Sequence, residues 1–280
     1  MTTVPLRRPG SADAIGLGEI LVSRRRGRFG KRALTISILA VIALALYVAD
    51  LFHLARYSDA SRTIFTLLRD ALPPDFSRWR NWGQPLLDTL AMSVAGTVIA
   101  SLAAIPLGAL ASGRAGLPSL AGVVRTILNI FRSIPLVVWG IACVAAVGFG
   151  ALPGALALAI HSTGMLGEFY AEILEHVDPV PGDALKSQGV SSLGVMRFAV
   201  LPQILPRAVD VTLYRWEHNV RAATVMGVIG AGGIGLEIMS AFQLFEYREA
   251  LALILLLFVL VTGINAISKR ARSRFLDRTT

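Results

Sequence analysis

Residues 133–167 contain no Asp, Glu, Lys or Arg. A helix rises about 1.5 Å per residue and a bilayer core is about 30 Å thick, so this run is too long for one crossing. It must turn, and Gly148, Gly150, Pro153 and Gly154 supply the turn. Two spans are predicted, 123–147 and 152–170, the first with Arg125 and Arg132 in its opening turns.

The rest of the chain has the same character. It is 54% hydrophobic and 16% charged, with a mean hydropathy of +0.64, where a soluble domain carries about a quarter charged residues. Further uncharged runs at 33–49, 89–113 and 250–268 are each the size of a span. Ala95, Gly96, Ala100, Ala103 and Ala104 give the second of these the small-residue face of a tightly packed membrane helix. The first follows an Arg-rich lead and ends at Asp50-Leu51-Phe52 without an A-x-A cleavage site, so it is expected to be retained. Cys143 is the one cysteine, which excludes an intrachain disulfide and a thiolate metal site.

A net charge of +9 raises the question of nucleic acid, but the placement of the charge answers it. Arg7, Arg8, Arg24, Arg25, Arg26, Arg28, Lys31 and Arg32 precede the first span, and Lys269, Arg270, Arg272, Arg274 and Arg278 follow the last. Basic flanks on apolar spans orient them with the basic side in the cytoplasm and suit anionic lipid. With both ends inside, the span number must be even. Five clear spans then require a sixth, and 206–239 is the remaining segment for it. This gives a basic cytoplasmic N-terminal tail at 1–32, a membrane domain at 33–268 and a basic cytoplasmic tail at 269–280. The 50–88 loop, with Arg56, Arg62, Arg69, Arg78 and Arg80 facing outward, fits least well. It contains a turn at Leu72-Pro73-Pro74-Asp75 and an amphipathic piece with Ile64, Leu67, Leu68 and Leu72.

The polar loop after the fourth span is then cytoplasmic. Asp183 suits a helix N-terminus, Gly189 permits a tight turn or close backbone approach, and Pro202 and Pro206 are expected to break the chain before the next helix. In the sixth segment, Arg215, Glu217, His218 and Arg221 are costly at membrane depth and must face the bundle interior, a partner or a water-filled path. Glu217 and Arg221 are four apart and share a helix face. Either they neutralise each other, or Arg215, with or without Arg221, lines a path for an anion. His161, beside Ser162 and Thr163, reads first as a packed, hydrogen-bonded histidine; Arg215, Arg221, Glu217 and His161 together are the candidates for the substrate path.

Residues 230–235, GAGGIG, fit the G-x-G-x-x-G string, but a predicted helix precedes them and, counted from Gly235, Glu237 and Glu249 both fall short of the required twenty or so positions. Close packing or a broken membrane helix explains them better. There is no P-loop, H-E-x-x-H or G-x-S-x-G string, so no catalytic or metal residues are assigned.

The frame Asp183-Ala184-Leu185, then Gly189, Ala199, Leu201 and Pro202, resembles the E-A-A-x3-G-x9-I-x-L-P coupling loop of ABC-importer permeases, with substitutions at Asp183, Leu185 and Ala199. Arg132-Ser133-Ile134-Pro135 and the 227–235 run GVIGAGGIG are similar to the methionine/phosphonate group of type I importer permeases. Pro73-Pro74-Asp75-Phe76-Ser77, the 201–206 run LPQILP, and the Glu217, Asn219, Arg221 triplet resemble its phosphonate-transport branch. The resemblance implies an all-α integral membrane fold, the six-helix transmembrane domain of type I importers, with its core at about 85–268. It also implies coupling through loop 179–205, with Asp183, Ala184, Lys186, Gly189, Leu201 and Pro202 meeting an ATPase dimer. The other implied partners are a second permease copy, identical or paralogous, and an extracytoplasmic binding protein delivering a phosphorus oxyanion. Cofactors would be absent from this chain, with ATP and Mg in the partner ATPase. The alternatives are a permease for another solute such as methionine, or a secondary transporter or channel without an ATPase.

Overall fold

A computed structural model describes residues 31–32, 34–49, 51, 58–114 and 118–276. The predicted N-terminal tail lies outside these except for Lys31 and Arg32. The chain divides into two units, Met1–Thr66 and Leu67–Thr280. In the first, α1 (Leu34–Val48) is an uncharged apolar helix. The helix α2 (Ala60–Ala71) follows, its apolar and polar residues strongly segregated.

The second unit holds every residue considered below. A 3-10 turn (Trp79–Trp82) leads into α3 (Gly83–Ala111), followed by α4 (Pro118–Ser133), α5 (Leu136–Val147) and α6 (Ala151–Glu175). Then come α7 (Val180–Ser187), α8 (Ser192–Val195), a π-helical turn at Met196–Val200 and α9 (Leu201–Met226). A second π turn at Gly227–Ala231, α10 (Ile234–Gln243) and α11 (Tyr247–Leu276) complete the order. Trp79–Ala111 and Tyr247–Arg274 are each long and apolar enough to cross a membrane. Counting each bent pair, α4–α5 and α9–α10, as one span makes four; the shorter apolar α1 and the 25-residue α6 bring the helical segments to six, and the described residues contain no strand.

The predicted third span is not one helix. α4 and α5 meet at 89°, with Ser133-Ile134-Pro135 at the corner. A proline disfavours the helical region for the residue before it and has no N–H to donate, so the helix stops although the run stays uncharged. Pro206 also departs from expectation. It sits inside α9, and Pro202 lies at the start of that helix, where a missing N–H is tolerated. At the other end of the chain, residues 269–276 continue α11 rather than leaving it as a tail.

Packing centres on α3 against α6. Gly96, Ala100, Ala104 and Gly108, spaced by four, are all buried. A Cβ on Gly96 would lie 2.7 Å from the Leu158 Cβ, and one on Gly108 2.9 Å from the Gly167 carbonyl oxygen. These contacts bring the backbones together as small residues do in membrane bundles. The glycine-rich stretch does the same across the 59° bend between α9 and α10. There Gly227 sits 2.8 Å from the Gly235 Cα by the same measure, Gly230 takes φ +98°, and the Thr89 hydroxyl accepts the N–H of Ile234 at 2.9 Å. The broken-helix reading holds, and the nucleotide fingerprint has no strand to follow.

The outlying arginines of the 50–88 loop have a partial explanation. Arg78 pairs with Glu246 (3.1 Å) and Glu249 (3.0 Å), and Trp82 Nε1 donates to Glu249 at 3.3 Å. The Arg248 Nε donates to the Pro73 carbonyl at 2.8 Å, and the Asp75 N–H to that of Arg248 at 3.0 Å. Donors from the Ser77 backbone and hydroxyl, helped by Arg248 and Arg78, hold the Asp75 carboxyl below its ordinary pKa.

Candidate functional site

A continuous thread of side chains joins α3, α6 and α9 at mid-bundle. Thr97 donates to the Ser93 carbonyl (2.6 Å) and accepts from Asn219 Nδ2 (2.9 Å). Asn219 Oδ1 accepts from Ser162 (3.0 Å), and Ser162 accepts from Arg215 Nε (2.9 Å). Arg215 Nη2 then meets His161 Nδ1 at 2.7 Å. Thr97, Ser162, Asn219 and Arg215 are all buried, Arg215 with only 3% of its surface exposed. Each member satisfies the next, which is the condition for a polar network in a low-dielectric interior to hold its geometry.

Local sequence explains the alignment. Arg215 and Asn219 are four apart on α9, as Ser93 and Thr97 are on α3, so each pair projects from one helix face. The Gly96–Leu158 contact brings α3 close enough to α6 for these short side chains to reach. Sequence reasoning singled out His161 and Arg215 but missed that Thr97, Ser162 and Asn219 connect them. The available signal was a run of small hydroxyls on the small-residue face of the 89–113 segment.

The Arg215 guanidinium is enclosed between α6 and α9 and held on two sides, by Ser162 and His161. It forms no ion pair among the described residues. His161 is partly buried against it, and His218, three residues on along α9, is partly buried as well. Arg221 is exposed and makes no ion pair among the described residues.

The expected Glu217–Arg221 pair is replaced by another. Glu217 binds Arg272 of α11 directly, and Arg272 also reaches Ser268 (3.3 Å) and, at 3.8 Å, Asp210. Helix spacing made Arg221 the nearest partner along the chain, but α11 packs on the Glu217 side of α9 and delivers a guanidinium there. The composition of 269–280 is that of a tail, which hides Arg272 as a partner in the sequence.

The polar loop forms a compact lever. Asp183 lies in the first turn of α7, and Lys186 Nζ binds its Oδ1 at 3.0 Å. Gly189 takes φ +80°, its N–H donates to the Lys186 carbonyl (2.9 Å), and the Val190 N–H donates to that of Leu185 (3.1 Å). This is a Schellman cap, which needs a left-handed residue. A Cβ at Gly189 would meet nothing within 4 Å, so within this chain the glycine serves the turn and not a close approach. Gln203 ties the segment leading into α7 to the start of α9: it accepts the Asp178 N–H at 3.0 Å and donates to the Ala199 carbonyl at 2.9 Å. Asp183, Ala184, Lys186, Gly189, Leu201 and Pro202 are all exposed. Around them Val180 (68%), Leu193 (79%) and Phe198 (67%) expose apolar surface beside the polar edge of α7.

Bent apolar pairs around a buried polar thread, with a capped polar lever between segments, define a multi-span membrane transport protein. The chain belongs to the family of binding-protein-dependent transport system inner membrane components, which matches residues 104–279. Within that family it is a permease subunit, with ATP hydrolysis in a separate subunit. It is 45% identical over 239 residues, 85% of this chain and 87% of the relative, to a phosphite transport system permease protein of Stutzerimonas stutzeri. It is 34% identical over 220 residues, 78% of this chain and 41% of the relative, to a phosphate-import permease protein of Mycolicibacterium smegmatis. In fold it is similar to a solved inward-facing methionine ABC transporter, with TM-score 0.63 and 21% identity over 72% of this chain and 99% of that one.

Proposed function

We propose that this chain is the permease subunit of an ATP-driven importer that carries a phosphorus oxyanion (phosphite, phosphonate or phosphate) across the cell membrane by alternating access. The observation that carries this reading is the 45% identity spanning 87% of a phosphite permease. A buried, acid-free guanidinium at Arg215 supports an anionic cargo. The likeness to a methionine transporter, at 21% identity, speaks for the fold and does not favour methionine.

In this reading two permease copies form the path, and an ATPase dimer with its own ATP and Mg docks on Asp183, Ala184, Lys186, Gly189, Leu201 and Pro202. The exposed apolar rim of Val180, Leu193 and Phe198 suits such a dock. An extracytoplasmic binding protein delivers the cargo, and both termini lie in the cytoplasm. Uptake of labelled phosphite, phosphate, methylphosphonate and methionine by cells expressing the full system tests the cargo; saturable uptake of methionine alone defeats it. Impermeant labelling at cysteines placed after Ser58 and after Thr280 tests the orientation, with the first expected outside and the second inside.

A further inference from the structure

We infer that Arg215, His161 and His218 form an oxyanion-binding station at the middle of the membrane, at which the cargo exchanges its water for fixed donors during passage. This rests on the oxyanion-importer reading and adds to it where the anion is held.

The argument begins with donor chemistry. Arginine has only donors, so His161 Nδ1 must accept the 2.7 Å bond from Arg215. A neutral imidazole that accepts at Nδ1 carries its hydrogen on Nε2, and that Nε2 makes no hydrogen bond among the described residues. Arg215 likewise uses Nε on Ser162 and Nη2 on His161, which leaves Nη1 without a partner there. The thread through Ser162, Asn219 and Thr97 fixes both groups at their backs. Their spare N–H groups are therefore held in place before any ligand arrives.

Charge points the same way. His218 lies three residues past Arg215 on α9, one turn along, and adds a third nitrogen-bearing side chain without a hydrogen bond among the described residues. Among the described residues no carboxylate pairs with Arg215, whereas Glu217 on the same helix is occupied by Arg272. A buried guanidinium without an acid is an unfavourable state that an anion relieves, and guanidinium donors match phosphoryl oxygens in geometry. The partial exposure of His161 and His218 gives the station its opening.

Depth supports passage over surface capture. His161 is about ten residues into α6, roughly 15 Å from its start, near half of a bilayer core about 30 Å thick.

The test uses the assembled importer in proteoliposomes, with phosphite as the probe and phosphate and methylphosphonate as comparison anions. His161→Leu removes the spare donor and should lower phosphite uptake about tenfold, the worth of one charge-assisted contact. ATP hydrolysis stimulated by loaded binding protein should stay near the wild-type rate. His161→Gln, which can accept from Arg215 and still donate, should recover much of the uptake. His218→Leu, at a partly exposed position, should lower uptake several-fold with hydrolysis and membrane level retained. Wild-type uptake in both leucine variants, or uptake and hydrolysis falling in step in both, overturns the station while leaving the importer reading intact. If the wild-type importer carries none of the three anions, the importer reading itself fails and the station falls with it.

Discussion

Two arginines lie on different sides of α9 in opposite electrostatic states. Arg272 arrives from α11 and finds Glu217, with Asp210 at 3.8 Å. Arg215 points into the bundle and finds only neutral partners, Ser162 and His161. Residues 215 and 217 are two apart, about 200° around a helix, so one element carries a compensated charge on one side and an uncompensated one on the other. A closed pair that loses a partner leaves an isolated charge behind. An isolated charge that is removed leaves no charge behind, only the Ser162 and His161 acceptors it had bound. The first is expected to serve assembly and the second the cargo.

The largest expected effect tests the compensated side. Glu217→Gln should lower stability by about 2 kcal/mol, short of the roughly 3–5 kcal/mol of a fully buried pair because 26% of the Arg272 side chain stays exposed. The unfolding temperature of the purified permease and its level in the membrane read this out. Glu217→Leu combined with Arg272→Leu should recover much of the loss, since both charges leave together. A double variant no better than the single one would mean that the pair adds nothing beyond its separate parts.

Next comes the uncompensated side. Arg215→Gln should reduce oxyanion uptake about tenfold while the unfolding temperature holds or rises, because no acid is left unpaired. A stability loss matching that of Glu217→Gln would erase the contrast between the two sides.

Smaller effects are expected at the lever. Gly189→Val forces a branched side chain into a left-handed backbone, at a cost of about 1–2 kcal/mol, and should fray the end of α7. Insertion should be unchanged, with uptake and binding-protein-stimulated ATP hydrolysis falling together. Wild-type rates for both would make the loop a plain connector. Smallest of all, Thr97→Val removes one acceptor from the thread and should lower stability by about 1 kcal/mol, read as a modest drop in unfolding temperature.

Much of the fold was legible because burial in lipid leaves a long-range mark on composition. Uncharged runs gave the segments, and Gly148 and Gly150 gave the turn between α5 and α6. Gly189 could be read as a turn because its requirement is local. The right-angle break at Pro135 was harder, since hydropathy averages over a proline that stays apolar. Pro206 erred the other way: its helix was already under way from Leu201.

The candidate site divides along the same line. Arg215, His161 and Glu217 stood out because charge and imidazole are rare at membrane depth. Their partners did not, since hydrogen bonding to Ser162, Asn219 and Thr97 depends on side chains from three helices meeting at 2.9–3.0 Å.

By itself the sequence determined that this chain lies in a membrane as six helical segments with a polar lever between the fourth and fifth. Lipid solvation acts on every residue where it stands, so its record can be read residue by residue. Tertiary structure alone decided which charges are neutralised, because a Coulomb partner is chosen by distance in space. Glu217 passed over Arg221, four residues away, for Arg272, fifty-five residues away, and Arg215 was left with its charge unmatched.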